Sequence, residues 1–145
     1  MAGGRVGATV TGRVRMWQQR LEAVVAERRD MPFEYGTHDC ITFAAACVEA
    51  CTGRTVREIH DHYTGERDGL RLLQMHGGLR ALAAARLGEQ ISPRLAAPGD
   101  VGLYDEAGRP ALAVNVGGAW LAPAARGLVP LKPGAVVIAW RCERG

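Results

Sequence analysis

Phe33-Glu34-Tyr35-Gly36-Thr37-His38-Asp39-Cys40-Ile41-Thr42-Phe43, running on into Ala44-Ala45-Ala46-Cys47-Val48, is the stretch that decides how this chain folds. A loop carrying Pro32 and Gly36 ends at Asp39, whose short carboxylate suits a helix N-cap. Apolar residues then recur at spacings of three and four, as in a buried helix. The spacing predicts a helix over 39–52, stopped by Gly53. Cys40 opens that helix, where unpaired N–H groups and the positive end of the macrodipole favour a thiolate. By position alone it reads two ways, as a nucleophile or as a small core residue in an Ala-rich run.

Upstream, residues 1–12 are Gly-rich and read as a flexible arm. From about Arg13 to Arg29, Trp17, Leu21, Val24 and Val25 alternate with Gln18, Gln19, Glu22 and Glu27 in helical rhythm, which predicts an amphipathic helix. Downstream, Thr55 to His62 reads as a short helix or turn anchored by Ile59. Leu70, Leu72, Leu73 and Met75 lead to Gly77-Gly78, and Leu79 to Leu87 forms another short helix. The texture changes after Pro93. Val101–Tyr104, Ala111–Val116, Ala119–Leu121, Gly127–Leu131 and Ala135–Trp140 are short apolar runs separated by turn residues, the spacing of an antiparallel meander. The expected class is α+β, with N-terminal helices packed on one side of a C-terminal antiparallel sheet of about five strands, in a single domain over 13–145.

With 145 residues, 48% hydrophobic and 23% charged, the chain has the composition of an ordinary globular domain. Its formal net charge of +3 comes from scattered Arg with a single Lys, Lys132. That pattern has no basic block and few interleaved aromatics, so no nucleic-acid partner is expected. No run approaches a membrane span or a secretory core, and the chain is expected to be made in the cytoplasm. There the four cysteines read as thiols rather than bridges.

Two blocks together resemble a known family. Tyr35-Gly36-Thr37-His38-Asp39-Cys40-Ile41-Thr42-Phe43 opens a helix, and Pro98-Gly99-Asp100-Val101 follows, with a strand ending Val114-Asn115-Val116-Gly117. This order resembles the NlpC-type cell-wall peptidases of the papain-like cysteine hydrolase superfamily. It is similar in particular to small proteins of that kind encoded among tail genes of phages, prophages and gene transfer agents. The resemblance implies a papain-like core and Cys40 in the position of the nucleophile. The family's base begins the second-block strand, which the terminal glycine aligns on Ala111. The third polar residue aligns on Leu121, through Ala122-Pro123. Neither side chain can move or orient a proton, and thiol hydrolases need both operations.

His38, two residues before Cys40, is the substitute base to consider, against the plainer role of a loop hydrogen bond. Asp39 is the helix cap beside the thiol. Asp100 is an Asx-type turn residue, and His76 a helix C-terminal histidine. Cys40, Cys47 and Cys51 share one stripe of the helix, and Cys142 is able to approach them from the last strand. Cys40 and Cys47 stand about 10 Å apart along the axis, too far for one zinc at bonds of about 2.3 Å. The residual metal reading is therefore Cys47, Cys51 and Cys142; buried thiols are the plainer one, and no cofactor is expected.

Two functions follow as expectations. The first is a structural or assembly role as a tail-tip or baseplate component, a catalytically degenerate NlpC-like domain located in the virion tail and partnered by other tail proteins. The second is a cysteine peptidase acting on peptidoglycan peptides during cell-wall penetration, with Cys40 as nucleophile.

Overall fold

The computed structural model describes residues 12–56 and 63–143. The sequence-predicted arm up to residue 11, and the greater part of the segment around Ile59, lie outside the described residues. Helices come first: α1 (Trp17–Arg28), α2 (Cys40–Thr52), α3 (Gly65–Met75) and α4 (Leu79–Arg86). Strands follow: β1 (Gln90–Ile91), β2 (Val101–Glu106), β3 (Arg109–Asn115), β4 (Trp120–Pro123), β5 (Leu128–Pro130) and β6 (Val136–Trp140), with a single 3₁₀ turn, Pro93–Leu95, between β1 and β2. The α+β class expected from the sequence is the one the chain adopts. Among the described residues no helix is long and apolar enough to cross a membrane.

Helix α2 is the centre of the core. Ten of its residues are buried, from Ile41 to Thr52, and Phe43, Cys47 and Cys51 are wholly enclosed. Its start is fixed by a reciprocal cap: the Asp39 carboxylate accepts from the Thr42 N–H, and the Thr42 hydroxyl accepts from the Asp39 N–H, both at 2.8 Å. Its end is fixed by Gly53 in the left-handed region, φ 74°.

Helix α1 packs Trp17 and Leu21 against α2 but begins at Trp17, not at Arg13 as the periodicity predicts. The cause lies in the residues before it. Met16 has φ 62°, the Val14 N–H donates to the Cys51 carbonyl at 2.9 Å, and Arg13 is drawn inside to pair with Asp100 at 2.8 Å. Helical backbone through 13–16 would break these contacts.

Among the described residues the sheet is wholly antiparallel in the order β1-β6-β2-β3-β4-β5, one strand more than the sequence suggested. The meander runs only from β2 to β5. Strand β6 then returns beside β2 instead of extending the far edge, and β1 attaches to it. Alternation divides the sheet into two faces. Val101, Leu103, Leu112, Val114 and Trp140 face the helices, whereas Tyr104, Ala111, Ala113, Ala122 and Val136 form a second small cluster on the other face. Gly102 makes that second cluster possible: a Cβ there would stand 2.5 Å from Val136 and 2.8 Å from the Trp120 ring. Those two side chains close over β2 because this position has none.

Candidate functional site

Cys40 lies at the junction of the helical layer and the sheet's second cluster, packed against Tyr104, Ala111 and their neighbours. Above it opens a pocket of about 430 Å³. Its aromatic and apolar wall includes Phe33, Tyr35, Tyr63, Leu70 and Tyr104, and its charged groups include Glu66, Glu106 and Arg109. Arg109 and Glu66 pair at 3.4 Å, while Phe33 and Tyr35 meet edge to face at 4.9 Å between centroids.

The helix terminus does not give Cys40 the thiolate that its position suggests. Burial pushes the thiol up to about 12, outweighing the Leu112 backbone hydrogen bond that pulls it down; the Asp39 and Glu106 carboxylates push it further up. At pH 7 a thiol of that pKa is ionised in about one molecule in 10⁵. Desolvation here exceeds the macrodipole, whose effect is modest and confined to the first turn.

Asp39 is committed to architecture. Besides the cap, its second oxygen accepts from the Gly36 N–H at 2.8 Å and from the Tyr63 hydroxyl at 2.6 Å. Burial, followed by the Asp39 charge, raises the Tyr63 hydroxyl's pKa and keeps it a donor.

Both ring nitrogens of His38 are engaged away from the pocket. The residue is fully buried, with Nε2 3.0 Å from the Gly127 carbonyl and Nδ1 3.2 Å from Arg28 Nη1. A guanidinium only donates, so Nδ1 accepts and the proton sits on Nε2, where it is given to Gly127. The ring's one lone pair is occupied. The loop role weighed for this histidine is larger than a local bond, since it spans to the β4–β5 turn.

Ala111 does reach the pocket, beside Cys40, but Leu121 does not. Leu121 points to the helix-facing core, the opposite face from Ala111, so the two aligned positions are not brought together. Among the described residues, no histidine lines the pocket; His60 and His62 lie outside the described residues. Sequence reasoning missed Tyr63, Glu66, Tyr104, Glu106 and Arg109. Strand alternation was a signal for one pair, because Gly102, Tyr104 and Glu106 fall at steps of two on one face. Nothing local signals Tyr63.

Cys47, Cys51 and Cys142 are all free and buried. Among the described residues, no group of three or more His, Cys, Asp or Glu side chains is arranged to hold a metal ion.

A protein-family model described as a domain of unknown function, DUF6950, matches residues 12–142. The chain belongs to this family. No curated protein matches the DUF6950 chain. Among solved structures, the DUF6950 domain is similar to the P60 domain of the M. avium paratuberculosis antigen MAP1272c. Identity is 19% with a TM-score of 0.43, covering 86% of this chain and 94% of that one. It is also similar to RipD from Mycobacterium tuberculosis, described as a non-catalytic NlpC/p60 domain protein adapted to a peptidoglycan-binding function. There the identity is 16% and the TM-score 0.44, over 87% of this chain and 97% of that one.

Proposed function

We propose that this domain binds a short peptide in the pocket over Cys40 without cleaving it, as a catalytically silent NlpC-like component of a siphophage-type tail tip or baseplate. One observation carries the reading: an open pocket of about 430 Å³ whose floor is the Cys40 thiol and whose described lining contains no histidine, with burial pushing that thiol's pKa up. Amide hydrolysis needs a group to deprotonate the nucleophile and then protonate the departing amine. Cys40, Ala111 and the saturated His38 supply neither. The aromatic wall and the Glu66, Glu106 and Arg109 charges remain suited to holding a peptide backbone with its charged ends.

The order of the two sequence blocks supports cell-wall peptides as the ligand class and tail proteins as neighbours. The polar outer side of α1 is available for the latter, since only Trp17 and Leu21 of that helix are buried.

The test is calorimetric titration with purified muropeptides, beside an Ala111→Trp variant that fills the pocket. Binding by the wild type, lost in the variant, supports the proposal. No binding, or equal binding by both, overturns it. For the assembly role, particles lacking this protein should have defective tail tips; intact infectious particles would remove that part.

A further inference from the structure

Away from the pocket, at the other end of α2, a buried polar cluster joins the chain before α1 to the chain after β6. Arg13 is its hub. Its guanidinium pairs with Asp100 at 2.8 Å, donates to the Cys142 carbonyl at 3.0 Å and to the Pro98 carbonyl, and lies 4.2 Å from the centre of the Trp17 ring. Asp100 also accepts from the Cys142 N–H at 2.9 Å. Gly99 leaves the space: a Cβ there would stand 3.0 Å from both Arg13 Nη1 and Cys51 Sγ. Cys51 and Cys142, 91 positions apart in sequence, meet at this cluster, the Cys51 sulfur beside Gly99 and Arg13 and the Cys142 backbone on Arg13 and Asp100.

We propose that Cys51 and Cys142 are a latent redox pair that closes into an intramolecular disulfide when the folded protein meets a small-molecule disulfide oxidant. The pairing is selective for physical reasons. The neighbouring Cys142 side chain, with help from the Arg13 guanidinium, lowers the pKa of Cys51, whereas burial raises that of Cys47. Cys40 is eleven helical residues from Cys51, about 16 Å along the axis.

The exchange balances without any other reactant. The Cys51 thiolate attacks one sulfur of the oxidant, and one small thiolate leaves. Cys142, giving its proton to that thiolate, then attacks Cys51 in the mixed disulfide and expels the second small thiolate, which takes up the proton Cys51 released to solvent. Two electrons pass to the oxidant and two small thiols are formed. Both sulfurs are fully enclosed, so a local opening must come first. Cys142 lies beyond β6 in irregular chain, and releasing it leaves the sheet ladders intact. Closure would tie the end of α2 to the chain after the last strand, locking helices to sheet without touching the pocket.

The experiment incubates the folded, reduced protein with oxidised glutathione, alkylates the remaining thiols under denaturing conditions, and maps peptides without reduction. The expected result is one linkage, Cys51 to Cys142, with Cys40 and Cys47 still alkylated. A rise in Tm of roughly 5–15 °C should accompany it, reversed by dithiothreitol. Cys142→Ser should lose the rise. Four alkylated thiols after prolonged incubation, or a bridge to Cys47 or Cys40, would overturn the proposal. Because the wild-type map decides the question, a Cys142→Ser variant that failed to fold would not obscure it.

Discussion

The His38 imidazole donates from Nε2 to the carbonyl of Gly127 at 3.0 Å, tying the loop that enters α2 to the turn between β4 and β5. Gly127 is pinned from the other side as well, its N–H donating to the Met31 carbonyl at 2.7 Å. A histidine two residues from a candidate nucleophile is thus a brace for the pocket's rim. His38→Ala should cost about 2–4 kcal/mol, from the cavity and the orphaned Gly127 carbonyl, in urea denaturation, and leave the rate of Cys40 alkylation per folded molecule unchanged. A stable variant with altered Cys40 reactivity would show instead that the ring acts on the thiol.

Asp39 and Tyr63 should behave as one unit. Tyr63→Phe removes a hydrogen bond to a buried carboxylate and is expected to cost about 1.5–3 kcal/mol. Asp39→Ala additionally removes the cap, worth about 1 kcal/mol. Chemical denaturation of both singles and the double should give clearly less than the sum; strict additivity would mean that the 2.6 Å contact contributes nothing.

The raised pKa of Cys40 sets a pH dependence. The folded thiol titrates near 12, above the unfolded value of about 8.5, so its protonated form is favoured by folding. The stability it contributes is complete below about pH 8.5 and is lost as pH climbs toward 12, at up to about 1.4 kcal/mol per unit. Alkylation of Cys40 in the folded protein, followed by peptide mapping, should accelerate about tenfold per pH unit through pH 10. A plateau below pH 8 would reveal an activated thiolate.

The buried Arg13–Asp100 pair offers a further check. Asp100→Ala strands a guanidinium that is 3% exposed, and should cost about 3–5 kcal/mol, read as a lowered denaturation midpoint. A cost under 1 kcal/mol would mean that solvent replaces the carboxylate.

These outcomes show where the sequence was informative. The α2 cap and stop were legible because Asp39 and Gly53 act on backbone beside them. The start of α1 was not, since Arg13 leaves the helical pattern for a carboxylate 87 positions away. Strand β1 is only two residues and owes its form to pairing with β6, so no periodicity announces it. The thiol at the helix head was found by its motif, but its protonation is set by how tightly Tyr104 and Ala111 pack, which a linear pattern does not encode. For His38 the sequence offered a loop hydrogen bond as the plainer role and a substitute base beside it, but its actual partners, Arg28 and Gly127, lie outside the loop and could not be read from it.

The most direct measurement is mass-spectrometric digestion of purified muropeptides by the wild-type protein beside Cys40→Ala. The account predicts intact peptides from both, with the wild type still binding them. Cleaved peptides from the wild type and none from Cys40→Ala would contradict it, and would make the thiol a working nucleophile.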